Sequence, residues 1–281
     1  PSSPSAGRLL VVRNTTVVVE LGGRRLIVDP CFASGLGAPG VWVAPSPAVA
    51  PEGLGVVDAV LVTSGAPGGF DDDGYARLAA IDAPVLVPDA RTARRVRRVG
   101  RTLRVRVVRS GDVVGLGPLV ITASPAGYGA GDAVGYHVAL ATGAVDAFAR
   151  RGDGAGGPAL WHTGPLPPLD VAVDAGGFAV DHRADVVLGA GPVVGWRVGG
   201  PPFVAPLDDV LLLARRARAR AVVPLGGDVD VAIAMQGVLA RRASAPGRPS
   251  FASAPLASSG GPRVIDAAAG TWLRWTTAPR G

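Results

Sequence analysis

The sequence predicts an α/β protein, and three observations carry that expectation. Short apolar runs of strand length, such as Ala59–Val62 and Ala83–Pro88, are bounded by Gly, Pro and Asp. Between them lie stretches with helical spacing, the clearest being Leu207 to Arg220, where Leu207, Val210, Leu211 and Ala214 share one face. The chain has 281 residues, 48% hydrophobic and 18% charged, enough for one large α/β domain or two small ones. No apolar run reaches the roughly 18 residues of a membrane span, so no membrane association is expected.

The elements follow in order. Residues 1–8 read as a disordered lead with no signal-peptide pattern, and 9–281 as a single domain. Val17–Leu21 and Arg24–Val28 flank Gly22-Gly23, a two-residue hairpin signal, and Asp29-Pro30 ends the second strand. Residues 31 to 55 form a Gly/Pro-rich loop. Its Gly35-Leu-Gly37-Ala-Pro-Gly40 spells a dinucleotide fingerprint but is followed by Val41-Trp-Val-Ala-Pro45, which cannot be the required helix. Asp71 to Ile81 reads as a short helix whose three leading aspartates suit the positive end of its dipole; their spacing matches no EF-hand loop.

Arg91 to Val99 predicts a second helix, and Arg104–Val107 a strand with a basic outer face. The arginines from Arg91 to Arg109 lack interleaved aromatics and are read as a solvated face, so no nucleic-acid partner is expected. Leu119–Thr122, Val134–Val138, Ala159–Gly164, Asp185–Leu188 and Ala221–Gly226 supply further strands. A helix over about Val229 to Arg242, a mobile loop over 244–261 and a closing hairpin of Arg263–Asp266 with Thr271–Trp275 complete the chain.

Composition excludes several chemistries. The net charge is +6 and every cation is arginine, because the sequence contains no lysine. Schiff-base lysines, pyridoxal-phosphate anchors and standard P-loops are therefore ruled out. The Ala, Gly, Arg, Val and Pro richness has the look of a GC-rich coding sequence, which accounts for part of the high pI. The single cysteine, Cys31, excludes an internal disulfide framework and fits a cytoplasmic setting, although a secreted form that had lost its leader would look the same.

Asp58-Ala-Val-Leu-Val-Thr-Ser64, followed by Gly65-Ala-Pro-Gly-Gly-Phe-Asp71, resembles the metallo-β-lactamase superfamily, where this step reads D-A-V-L-V-T-H-x-H-x-D-H-F-D. The opening hairpin with Asp29-Pro30, Asp185-Val-Val and Ala221-Val-Val-Pro resemble the same family in order and spacing over roughly residues 9 to 228. They are most similar to its ascorbate-phosphate-lactonase-like, metal-dependent hydrolase branch. The resemblance implies an αββα sandwich, two mixed β-sheets flanked by helices, with a site along one edge. It also implies that the metal ligands are replaced: Ser64, Ala66, Gly68, Gly69, Gly127 or Tyr128, Pro165 and Gly226 stand where the family carries His or Asp, and Asn14 stands in an earlier histidine slot. No metal and no other cofactor are expected.

Of the three histidines, His162 lies on a strand leading to the implied edge, His137 sits within a strand, and His182 reads as a surface residue. The candidate acid–base residues are His162, Asp29 and Tyr128; the candidate ligand cleft is Ser64, Gly65, Gly68, Gly69, Asp71 and Cys31. A Cys31–His162 pair would be a metal-free nucleophilic site. The leading expectation is a non-catalytic, metal-free protein that binds a small molecule or stabilises a partner. A neutral or weakly polar ligand is expected, since Asp71 to Asp73 would repel an anion from the helix start. The alternative is a metal-independent hydrolase, lyase or cyclase reusing the cleft, and the third reading a conventional metal-dependent hydrolase. The oligomeric state has no sequence signal.

Overall fold

The computed structural model describes residues 6–13, 15–32, 46–65, 71–78, 82–100, 104–126, 133–141, 157–165, 174–189, 207–225, 261–265, 267 and 269–276. It also describes the backbone of 41–43, 173, 194–196, 229–231 and 239–241. Expectations for Asn14, Ala66, Gly68, Gly69, Gly127, Tyr128, Gly226 and most of the 244–261 loop lie outside the described residues.

Three strands open the chain: β1 (Ala6–Arg13), β2 (Thr16–Leu21) and β3 (Arg24–Val28). β2 and β3 are joined by Gly22 and Gly23 at φ 57° and 74°, the double positive φ that a tight hairpin turn needs and that glycine adopts without a Cβ clash. After β4 (Val41–Val43) and a 3-10 turn at Pro51–Leu54 come β5 (Ala59–Leu61), α1 (Asp72–Leu78), β6 (Pro84–Val87), α2 (Ala90–Val99) and β7 (Arg104–Val107). Asp89 caps α2 by accepting from the N–H groups of Arg91 and Thr92. β18 (Trp272–Thr276) returns to pair with β1, giving a seven-stranded sheet in the order β18-β1-β2-β3-β5-β6-β7.

The second half comprises β8 (Val113–Leu116), β9 (Leu119–Ala126), β10 (Ala133–Leu140), β11 (Ala159–His162), α3 (Val173–Asp181), β12 (Val186–Gly189), β13 (Val194–Trp196), α4 (Leu207–Arg216), β14 (Ala221–Pro224), β15 (Val229–Val231), β16 (Leu239–Arg241) and β17 (Arg263–Val264). Its sheet runs β17-β14-β12-β11-β10-β9-β8, and β13 with β16 and β15 with β4 form two small ribbons.

Period-two alternation builds the layers. In the first sheet Leu9, Val11, Val17, Val19, Leu26 and Leu61 face the second sheet, where Leu119, Ile121, Tyr136, Leu160, Leu188 and Val223 meet them in one core. The alternate residues Leu10, Val12, Ile27, Val60 and Val85 pack outward under α1 and α2 with Tyr75, Leu78, Ala93 and Val96. Trp161, Val187 and Val222 pack under α3 and α4. The central strands are buried on both faces, so they read as continuous apolar runs, whereas the edge strands β7, β8 and β18 are largely exposed or half-buried. The architecture is the expected αββα sandwich.

Four sequence expectations change. The helix over Val229 to Arg242 is replaced by β15 and β16, because Val229-Asp-Val231 alternates at period two and finds a partner in β4. The closing hairpin does not form: β17 joins β14 in the second sheet and β18 joins β1 in the first, each extending an edge. β1 starts at Ala6, which pairs with Thr276, so the strand includes residues placed in the lead. His182, read as a surface residue, is half-buried, with its ring stacked on Phe178 at 3.8 Å between centroids and 5° between planes.

Candidate functional site

β3, β5, β6 and β7 are parallel, as are β11, β12, β14 and β17. In such sheets the side chains that follow the carboxyl ends of the strands gather at one rim. Val134 N–H donates to Thr63 O (2.9 Å), and Ser64 bridges to Ala133, which ties the end of β5 to the start of β10. Tyr136 pairs with His162, so the same rim includes the end of β11. From below, the buried Tyr136 hydroxyl donates to Val62 O (2.9 Å) and lies 3.2 Å from Leu86 O, joining the two sheets.

Asp29 leaves β3 at φ 47°, a left-handed conformation that L-residues other than Asn and Asp seldom take. Its side chain is 2% exposed. Oδ1 accepts from Thr63 N–H (2.7 Å) and Oδ2 from the Thr63 hydroxyl (2.6 Å). Burial outweighs those two bonds and pushes the carboxyl from 3.8 up to about 7. Thr16 locks the backbone here: its hydroxyl donates to Asp29 O (2.6 Å) and accepts from Cys31 N–H (3.0 Å). Asp71 is also buried. One of its oxygens accepts from Phe32 N–H (2.7 Å) and the other from Asp73 N–H (3.1 Å), so it fastens the loop after β3 to the start of α1.

Cys31 is fully buried, and burial together with the Asp71 and Asp29 carboxylates pushes its thiol up to about 11, against the pull of Arg13. The thiolate needed for a Cys31–His162 nucleophilic pair is therefore disfavoured, and His162 is not among the groups acting on the thiol. Gly65 sits against α2, where a Cβ would lie 2.4 Å from the Thr92 hydroxyl.

His162 is 2% exposed at the end of β11. Its Nδ1 accepts from Gly164 N–H (3.1 Å), which places the ring proton on Nε2. Nε2 is buried without a hydrogen-bond partner of normal geometry, although the Thr15 backbone is near enough to favour the charged ring. Burial dominates and lowers the imidazole from 6.5 to about 4, so it is neutral at pH 7. The carbonyls of His162 and Thr163 pass close over Gly135, where a Cβ would stand 2.6 Å and 2.7 Å from them.

The structure thus brings Asp29, Cys31, Ser64 and Asp71 to the rim that also carries His162. It adds residues that the sequence reading missed. Arg13 is 1% exposed directly after a bulge at Val12 in β1, a device that re-aims side chains at strand ends. Thr16, Thr63 and Tyr136 supply the hydrogen bonds, and Tyr75 lies buried nearby. For Thr16 and Thr63 the only sequence signal was polarity beside apolar strands, while Tyr136 lies within β10 and Tyr75 within α1. His137 is separate: its Nε2 lies 2.7 Å from Arg183 O, in an aromatic cluster with Phe178 and His182 under α3.

A resident transition metal needs several convergent imidazoles, thiolates or carboxylates. Among the described residues no group of three or more His, Cys, Asp or Glu side chains converges. Both rim carboxyls are engaged by backbone or threonine donors, so the described donor set does not fit such an ion.

No family model and no curated protein matches the chain. Solved structures do. An isothiocyanate hydrolase from Delia radicum gut bacteria aligns with TM-score 0.61 at 17% identity, covering 80% of this chain and 87% of that one. A possible metal-dependent hydrolase from Veillonella parvula gives 0.62 at 14% identity, with 80% and 87% covered. The metallo-β-lactamase fold protein YhfI from Bacillus subtilis gives 0.52 at 13%, with 78% and 86% covered. The chain has the metallo-β-lactamase fold, the fold also of metal-dependent hydrolases. Among the described residues no helix is long and apolar enough to cross a membrane.

Proposed function

We propose that this chain is a metal-independent relative of the metallo-β-lactamase-fold hydrolases, near the ascorbate-phosphate-lactonase-like branch. In this reading it binds a neutral, acceptor-bearing small molecule at the rim without turning it over. The supporting observation is the Nε2–H of His162, a buried donor left without a normal hydrogen bond at the strand ends. The Thr15 backbone offers it only a poorly aligned acceptor, so part of the cost of an unmet buried donor, about 1–3 kcal/mol, is left for a ligand carbonyl or ether oxygen to recover. The imidazole is neutral at pH 7, so it would recognise a neutral acceptor as readily as an anion. A hydrolytic role like that of the isothiocyanate hydrolase would need an activated water. The Asp29 carboxyl is poorly placed to supply one, with both oxygens already bonded to Thr63.

A second reading keeps catalysis without metal. It is favoured by Asp29, raised to about 7, standing on the rim that also carries the neutral His162, two groups of the types that serve in proton transfer.

The test has two parts. Protein purified without chelators is assayed for metals; about one zinc, iron or manganese per chain would overturn the proposal. A thermal-shift screen of lactones, cyclic amides and other neutral carbonyl compounds is then run on wild type, His162→Asn and Gly68→Leu. Asparagine keeps an acceptor for Gly164 and removes the Nε2 donor. Shifts lost in both variants support binding at the rim, and unchanged shifts overturn it. Release of product from any hit transfers the case to the second reading.

A further inference from the structure

The opposite end of the sandwich carries a second site. There the edges of the two sheets, β18 and β17, part around a cleft of about 1060 Å³. Its walls include Asp185, Ala219, Arg220 and Arg263, which precede or open β12, β14 and β17, so it lies at the amino ends of these parallel strands, away from the His162 rim. Leu9, Val186, Val223, Ile265 and Leu273 provide an apolar lining. Around them stand Arg215, Arg218, Arg220, Arg263 and Arg274.

The donors here outnumber the acceptors. Among the described residues none of these five arginines forms an ion pair, whereas Arg8, Arg24, Arg25, Arg77, Arg95 and Arg104 each do. Arg220 donates to Thr276 O (3.0 Å). The one carboxylate in the walls, Asp185, accepts from Ala159 N–H (2.9 Å). The wall also holds Trp275, whose indole N–H is buried without an acceptor. This second donor is independent of the guanidinium charges.

Arg218 adds a backbone observation. α4 ends with Ala219 N–H bonded to Ala214 O (2.7 Å), a closure whose left-handed residue is ordinarily glycine. Here Arg218 holds φ 54°, and a non-glycine side chain is retained on the cleft wall at the expense of backbone strain.

We infer that this cleft is a binding site for a small amphipathic anion, with a phosphate or carboxylate head among the arginines and the Trp275 N–H and an apolar body on the half-buried Ile265 and Leu273. Guanidinium groups and an indole N–H can only donate, so the head must be rich in acceptors. The apolar lining selects against bare inorganic anions, and a cleft of this volume is of the size that small-molecule sites take.

The test uses the full chain and calorimetry with hexyl phosphate, hexanoate, pyrophosphate and hexyl glucoside, repeated on the double variant Arg263→Gln/Arg274→Gln. Those two arginines are exposed strand residues whose side chains make no hydrogen bond or ion pair among the described residues, and Arg220, which holds Thr276, is left intact. Hexyl phosphate or hexanoate is expected to bind at least about tenfold more tightly than pyrophosphate or the glucoside. The tighter of the two identifies the head. The double variant should lose about tenfold or more with its melting temperature within about 2 °C of wild type. On binding, one indole N–H resonance should shift, and it should be the one absent from Trp275→Phe. Equal binding of the glucoside, an unaltered affinity in the double variant, or a Trp275 signal that stays in place each overturns the inference. So does tighter binding of a single-stranded oligonucleotide or of phosphatidylglycerol vesicles through the same arginines, which would make the cleft part of a polyanion-binding surface.

Discussion

Replacing Asp29 by asparagine tests the electrostatics of the rim directly. In the folded chain the Asp29 carboxyl titrates near 7, against an ordinary 3.8. Between those two values the native state keeps a proton that the unfolded chain has released. Stability contributed by this group therefore falls as pH rises from about 4 to 7, and the loss is complete above the folded value. A gap of about three pH units at 1.36 kcal/mol each amounts to about 4 kcal/mol.

Asparagine has the same shape and no charge to desolvate. It still accepts from Thr63 N–H, the threonine hydroxyl can turn to accept from its amide, and asparagine tolerates a positive φ. His162 and His137, both lowered to about 4, impose the opposite slope between about 4 and 6.5, but they are common to both proteins and cancel in the difference. Urea unfolding at pH 4.5 and pH 7.5 should show Asp29→Asn gaining on wild type by about 2–4 kcal/mol across that interval. A constant difference, or wild type gaining on the variant, would refute the reasoning. The second outcome would mean that the carboxylate is ionised beside a compensating cation, for which Arg13 is the buried candidate.

Three further outcomes follow from the packing. Gly135→Ala places a Cβ 2.3 Å from the Ser124 hydroxyl, the acceptor for the Trp161 indole N–H, and close to two carbonyls, so a loss of about 2–4 kcal/mol is expected by denaturant unfolding. Cys31 should react with a thiol reagent only in denaturant; rapid labelling of native protein at pH 8 would contradict its burial and raised thiol. Arg218→Gly should raise stability by about 0.5–1 kcal/mol by relieving the left-handed backbone, and a melting temperature at or below wild type would count against that strain.

Strand positions were legible in sequence wherever both faces of a strand are buried, because an uninterrupted apolar run such as Val17-Val-Val or Ala59-Val-Leu is hard to place elsewhere. The Gly22-Gly23 turn was legible because its backbone conformation demands glycine. Short segments were less so: Val229–Val231 is too brief for periodicity to choose helix or strand, and Arg263–Val264 was read as a strand but with the wrong partner, since β4 and β14, which they pair with, are distant in the chain. The rim was partly legible. Asp29 and His162 were placed from the ends of their strands and Ser64 and Asp71 from the motif resemblance, whereas Arg13 carried no signal, since a lone arginine at a strand end normally points to solvent.

The sequence by itself determined an α/β class and most strand positions, because local apolar period and turn chemistry act over a few residues; the order of the layers was implied by the family resemblance of its motifs, and only some of the side chains at the strand ends were legible. Only the tertiary structure decided the state of those side chains. The 7 of Asp29, the 4 of His162 and the 11 of Cys31 come from burial by residues far away in the chain. The arginine cleft, likewise, exists only because β17 and β18 end on neighbouring edges of different sheets. Desolvation depends on the whole enclosing shell, and no local stretch of sequence contains that shell.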